Sequence, residues 1–329
     1  MKKKVRAVST IICVCLFVAM ALGSGSSSSS ASKVGEISSA STESKTSNKS
    51  ETSAKTETST VNEEKNVYYV GETFENSGLQ ITYVKSGEYV SDNEFLQPAD
   101  GNKYIRLLFH VDNQSSSDQS VTVYSFNCYA DGYECSATYR DDDLSASLSS
   151  GRSSDGAVYF EVPKEAKEIE IEYDYDLFSN KKVKFIYEGE KDSGLTFEKN
   201  TSVSESAFHV GDIIETKDIR IKYLKAAEYV SDNMFLKPGD GNKYVYIELE
   251  VENLSSTDHT ISYFSFECYA DGVNCKGFYG MDDALSATLS SGRKAKGTVA
   301  FEVPKDASVI EFEYEDNIWT SDKIVFLYE

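Results

Sequence analysis

Apolar and polar residues alternate one by one through much of the chain. In "EIEIEYDYD" (168–176) Ile169, Ile171, Tyr173 and Tyr175 share one face and acids take the other, the period of a β-strand. "KVKFIYE" (182–188) alternates too, with Lys182 and Lys184 on its polar face. Antiparallel pairing of these two strands sets lysines against glutamates, worth about a few tenths of a kcal/mol per pair. "LQITYVKS", "YIRLLFHVDN", "VTVYSFNCY" and "GAVYFEV" are further strand candidates, rich in β-branched and aromatic residues and bounded by Gly, Asn, Asp or Ser. No segment after residue 65 holds a helical period. Strands this short and numerous predict an antiparallel sandwich.

The pattern is written twice. "EYVSDNEFLQPADGNKY" (88–104) returns as "EYVSDNMFLKPGDGNKY" (228–244), and "LSASLSSGR" (144–152) as "LSATLSSGR" (285–293) after one inserted residue near Ala284. "VYFEVPKEA" and "VAFEVPKDA" match likewise, with Pro163 and Pro304 at strand ends, where a missing N–H does least harm. Each copy has the usual size of one domain. The predicted organisation is a first repeat over 66–188, a polar linker over 189–206 and a second repeat over 207–329.

The chain opens with Lys2, Lys3, Lys4 and Arg6, an apolar run from Ile11 to Leu22, and the small residues Ala21 and Gly23. That is the pattern of a secretory signal peptide over 1–23, with an uncleaved anchor as the alternative. Cys13 and Cys15 serve there as apolar residues. Residues 24–65 are half serine and threonine, with Val34, Ile37 and Val61 the only aliphatic residues larger than alanine. Such a segment buries too little to offset ordering its backbone, so it reads as a disordered stalk spanning about 35 Å. Loss of 1–23 removes four positive and no negative charges, moving the formal charge from −21 to −25. A field of that sign excludes nucleic acid as a partner and disfavours anionic membranes. Any membrane contact is left to an uncleaved N-terminal segment.

"CYADGYEC" (128–135) and "CYADGVNC" (268–275) each hold two cysteines around Asp-Gly, a two-residue hairpin signal. Counting outward from the turn sets Cys128 opposite Cys135 and Cys268 opposite Cys275, within disulfide reach. With export supplying an oxidant, both pairs are expected to be staples. The register makes them hydrogen-bonded pairs, which can strain a bridge. A zinc site needs more ligands than His110, His209 and His259 supply near a cysteine pair, and a Cys-x-x-Cys redox pair is absent.

Catalytic groupings are not visible. The three histidines have no counterparts at matching positions of the other repeat, and no phosphate-cradling glycine pattern occurs. Asp141, Asp142 and Asp143, echoed by Asp282 and Asp283, lack the spacing of a calcium loop and read as solvated acids. No cofactor and no metal are expected.

The long connection repeated almost unchanged before "NKY" supplies the candidate ligand loops: Asp92, Asn93, Phe95, Asp100 and Asn102, with Asp232, Asn233, Phe235, Asp240 and Asn242. Turn chemistry accounts for the same residues, since Pro98 and Asp100-Gly101 suit a tight turn and Phe95 can plug the core.

The V-G-[ED] start, "PADGNKYIRLLFHVDNQS" (98–115) and "DGYEC", with Asn113 and Asn253, resemble a family of secreted domains of unknown function from Gram-positive bacteria. The resemblance covers both repeats and not the stalk. It implies an immunoglobulin-like sandwich similar to that of a secreted mycobacterial immunogenic antigen, and no catalytic residues. Some members carry a telomeric-repeat-binding label, which charge and export argue against. The expectation is therefore an all-β chain of two tandem immunoglobulin-like sandwiches on a stalk, extracellular or tethered to the outer face of the cell membrane. It would be a non-enzymatic binding or adhesion module for a surface protein or glycan. A structural spacer or envelope-assembly protein, and a secreted hydrolase, are the alternatives.

Overall fold

The structure is a computed structural model and describes residues 65–176, 180–231, 233, 236–315 and 323–329. The expected export segment, all but the last residue of the stalk, Asp232 and Phe235 lie outside the described residues. Both repeats belong to one compact unit, Asn62–Glu329.

The first repeat runs β1 Val67–Tyr68, β2 Thr73–Asn76, β3 Leu79–Tyr89, β4 Asn102–Asn113, β5 Gln119–Thr122 and β6 Phe126–Ala130. It continues through β7 Tyr133–Thr138, β8 Ser145–Leu148, β9 Ser153–Pro163, β10 Ile169–Asp176, β11 Lys181–Ile186 and β12 Lys191–Asp192. One sheet is β2-β3-β4-β9 and the other β1-β11-β10-β6, with β5 and β8 as a side ribbon. β7 serves both, pairing β6 through Tyr133 to Cys135 and β9 through Ser136 to Thr138. The pairing is antiparallel as expected, apart from the parallel pair β1–β11 and a parallel bridge from Ser153 of β9 to Val273 of the second repeat.

The second repeat follows the same path: β13 Ile213–Glu215, β14 Ile219–Tyr229, β15 Asn242–Asn253, β16 His259–Ser262, β17 Phe266–Ala270, β18 Val273–Asn274 and β19 Lys276–Gly277. It ends with β20 Ser286–Leu289, β21 Lys294–Pro304, β22 Ile310–Glu315 and β23 Lys323–Leu327. Its sheets are β13-β14-β15-β21-β19 and β18-β17-β22-β23. The protein is thus all-β, two tandem antiparallel sandwiches of one topology.

The alternating strands bury the faces the sequence indicates. Ile169, Ile171 and Tyr173 are buried, while Lys182 bonds Glu172 at 3.1 Å and Lys184 bonds Glu170 at 2.8 Å on the other face. In the first core Phe109 stacks on Tyr83 at 5.2 Å and meets Phe185 at 4.9 Å; in the second Phe266 stacks on Tyr314 at 4.7 Å. The Asp-Gly hairpins have positive φ at both central residues, 49° and 82° for Asp131-Gly132 and 50° and 82° for Asp271-Gly272. Aspartate does more than tolerate that turn. Asp271 Oδ1 accepts the amides of Ser308 and Val309 at 2.8 and 2.9 Å, tying the hairpin to the start of β22. Gly156 lies where the 141–144 loop crosses β9, and a Cβ there would sit 2.5 Å from Leu144 Cα.

Two expectations need correction. "VTVYSFNCY" is not one strand, because a 3₁₀ turn at Val123–Ser125 carries the chain from the side ribbon into β6 and leaves Tyr124 in solvent. In the second repeat the Ser262 hydroxyl accepts the Phe264 amide, so a local polar side chain competes with the strand ladder. The 189–206 segment is polar as expected but docked. β12 pairs β3, and Phe197 stacks on the His110 ring with centroids 3.6 Å apart. Its apolar Phe197 was the signal for that.

Candidate functional site

The repeated connection divides into two parts. Its second part is structural: Asn102 Nδ2 and the Ala99 amide both donate to Glu161 Oε1, at 2.8 and 2.9 Å. In the second repeat Asn242 Nδ2 and the Gly239 amide do the same to Glu302 Oε1, both at 2.8 Å. Asp100 and Asp240 occupy the exposed corners of these turns. The first part is a tip. Asn93 Oδ1 accepts the Phe95 amide at 2.9 Å, an Asx turn that leaves Asp92 and Phe95 in solvent. Asn233 donates its amide to Ser231 Oγ at 3.1 Å. Phe95 is 85% exposed, so it does not plug the core.

A second exposed feature escaped the sequence. Tyr124 and Tyr139 meet at 5.8 Å in the first repeat, and their counterparts Phe264 and Tyr279 meet at 5.3 Å in the second. Phe264 is 68% and Tyr279 62% exposed. The signal was an aromatic at the same place in each repeat on either side of the hairpin, but strand alternation alone would have turned one of the pair inward.

Phe264 and Tyr279 line a cleft of about 710 Å³ that Asp141, Asp142 and Asp155 also line. Two of those acids are held in place, while Asp141 is exposed and lies 3.9 Å from Lys276. Asp142 accepts Arg106 Nη2 at 2.6 Å and the Tyr159 hydroxyl at 2.7 Å, while Asp155 lies 2.7 Å from His110 Nδ1. Burial pushes the Glu267 carboxyl up, partly offset by a hydrogen bond from Asn274. The cleft therefore combines fixed acceptors with exposed aromatic rings. Asp142 is committed to Arg106 and Tyr159, and no cluster of three potential metal ligands occurs among the described residues.

His110 is 3% exposed between Asp112, at 3.1 Å, and Asp155. Burial by itself would lower its pKa, but the hydrogen bonds and charges of both aspartates outweigh it and bring it up to about 9. His209 pairs Glu329 at 2.6 Å. Arg140 lies over Tyr104 and Tyr89, at 4.9 and 5.2 Å from their ring centres. The second repeat fills the corresponding place with Phe278 stacked on Tyr244 at 3.9 Å, a ring standing in for a cation.

Cys128 is register partner to Cys135, as the turn count predicts, and the Cys275 amide donates to Cys268 O at 2.8 Å. Neither bridge is closed, and all four are free thiols. The pairs sit at hydrogen-bonded sites, the more widely spaced kind, and Cys135 and Cys275 turn their Sγ to the carbonyls of Tyr133 and Val273, at 3.6 and 3.5 Å. Burial pushes the Cys128 and Cys268 thiols up.

The same two stretches are recognised by comparison with known proteins. Residues 68–183 and 208–324 each match the domain-of-unknown-function family DUF4352, and the chain belongs to that family. No curated protein matches it. Among solved structures it is similar to ycdA from Bacillus subtilis subsp. subtilis str. 168, with TM-score 0.31, 12% identity, and coverage of 35% of this chain and 37% of that one. It is also similar to MPT63, a secreted protein from Mycobacterium tuberculosis, with TM-score 0.28, 14% identity, and coverage of 38% and 99%. A β-sandwich protein from Clostridium difficile 630 gives TM-score 0.26, 11% identity, and coverage of 39% and 99%.

Proposed function

We propose that this chain is an exported, non-enzymatic binding module of the cell surface, and that its ligand is a glycan bearing hydroxyl and amino groups. The observation that carries the reading is the cleft that combines the exposed rings of Phe264 and Tyr279 with fixed carboxylates. Exposed aromatic faces stack on sugar rings and attract amines, and carboxylates already oriented by Arg106 and His110 accept hydrogen bonds at little entropic cost. Export is supported by the basic and apolar start of the chain followed by a Ser/Thr-rich stretch. In that oxidising setting the two hairpin cysteine pairs act as staples. The non-catalytic reading is supported by His110, whose ring Phe197 covers, so its Asp-His-Asp arrangement cannot reach a substrate. The test is retention of the protein on cell-wall fractions. Phe264→Ala with Tyr279→Ala should lose retention at unchanged melting temperature. Retention equal to that of the parent chain refutes the cleft.

A spacer or envelope-assembly role is the second reading, favoured by one observation. Arg152 of the first repeat donates to Glu313 at 2.9 and 2.7 Å and to Glu311 at 2.6 Å in the second, so the two sandwiches are locked rather than beaded on a string.

A further inference from the structure

The contact between the repeats is heterologous: the ribbon and 149–152 loop of the first rest on the β17–β22–β23 face of the second. Arg152 reaches Glu311 and Glu313 and lies over the Tyr269 ring at 4.6 Å. The Tyr269 hydroxyl donates to Ser147 O at 3.0 Å, and Ser149 Oγ bonds Glu313. Lys323 bonds Asp118 at 2.8 Å and Ser149 Oγ at 2.6 Å.

Because the chain is a repeat, the loop and face residues of this contact each recur once. The loop side recurs in the second repeat: Arg293 stands for Arg152, Ser290 for Ser149 and Asp258 for Asp118. All three are exposed, and Arg293 and Asp258 make no side-chain ion pair or hydrogen bond among the described residues. The face side recurs in the first repeat: Tyr129 stands for Tyr269, Glu170 and Glu172 for Glu311 and Glu313, and Lys182 for Lys323. Those four are only half-buried or exposed, whereas Tyr269, Glu311 and Glu313 are buried under the first repeat. Charge and hydrogen-bonding type are kept at each of these positions.

We infer that a second copy of this chain docks there, the Arg293 loop of one molecule seating on the Tyr129–Glu170–Glu172 face of the next and continuing the internal contact head to tail. An interface of that kind does not use the same patch twice, so it adds molecules in line instead of closing a two-fold pair. One departure sets its strength. Lys184 stands where the second repeat has Val325, and it bonds Glu170 on the free face at 2.8 Å. Docking has to displace that lysine, so the contact between chains is weaker than the one within the chain, where the local concentration is also far higher.

The inference is independent of the glycan reading, and a different measurement tests it. Sedimentation of the full chain from micromolar to submillimolar concentration should show a mass that climbs past the dimer without a plateau. Arg293→Glu and Glu172→Lys should each hold the protein at one chain, with melting temperatures near the parent's, since Arg293 is exposed and Glu172 loses only a cross-strand ion pair with Lys182. Mixed together, those two variants should associate again, because the intact Arg293 loop of one seats on the intact Glu172 face of the other. Lys184→Val should strengthen association several-fold. A single-chain mass for both the parent and Lys184→Val at every concentration overturns the proposal. Association that survives Arg293→Glu and Glu172→Lys overturns it equally.

Discussion

Asn113 shows what a single buried polar side chain does in this fold. It is fully buried; its Nδ2 donates to Ser117 O and Leu148 O, both at 2.8 Å, and its Oδ1 accepts the amide and hydroxyl of Ser115. Asn253 repeats all four bonds with Thr257, Leu289 and Ser255. Every donor and acceptor of the amide is used, and the end of β4 is strapped to β8. Asn113→Ala takes the side-chain donor from buried Leu148 O, while Ser117 O keeps the Ser115 hydroxyl at 2.8 Å, and should cost about 3 kcal/mol, roughly 10 °C in the melting temperature of its sandwich. A change within a degree or two would mean that water replaces the amide. His110 gives a second prediction, through protons. Its folded pKa of about 9 lies above the ordinary 6.5, so its stabilisation is complete below pH 6.5 and lost as pH rises towards about 9. Melting curves of the parent chain should therefore fall relative to those of His110→Gln across that window. Parallel curves would show that Asp112 and Asp155 do not hold the charge.

Strands and hairpins were the most legible elements, and the reasons are local. Alternation in "EIEIEYDYD" decides which face is buried, and Asp-Gly decides the register that sets Cys128 against Cys135. What escaped depended on contacts distant in sequence. The 3₁₀ turn at Val123–Ser125 follows from the need to leave the side ribbon, and the aromatic pairs become a surface only because that turn rotates Tyr124 outward. Of the loop candidates, Asn102 and Asn242 are clamps on Glu161 and Glu302, while Asp92 and Phe95 face solvent. The cysteine pairs carry the prediction at this scale. Oxidised protein should lose two hydrogens per hairpin in intact mass, and reduction should cost about 2.5 kcal/mol per eight-residue loop. Four titratable thiols after exposure to an oxidising buffer would show that the wide hydrogen-bonded spacing prevents the bridge.

At the scale of the molecule the decisive residue is Arg152, and nothing in a single repeat marks it. "LSSGR" reads twice as the same turn, yet Arg152 is buried against Glu311 and Glu313 while Arg293 is exposed. Two carboxylates without their cation would cost about 3–5 kcal/mol if they stayed buried. Lys323, 3.8 Å from Glu313, compensates only one of them. Arg152→Ala has a cheaper course open to it, because Glu311 and Glu313 project from the outer face of a sheet whose core lies on the other side. If the sandwiches part, both carboxylates regain water and neither core loses a contact except where Tyr269 packs against the first repeat. The substitution should therefore undock the repeats without unfolding them. Small-angle scattering should show a larger radius of gyration, and the Tyr269 ring should become accessible to solvent, while both sandwiches keep their melting temperatures within a few degrees. An unchanged scattering profile with a lowered melting temperature for the second repeat would mean that the docked state persists around unpaired charge. In that case the lock would rest on the apolar packing of Tyr269 and the 189–206 segment.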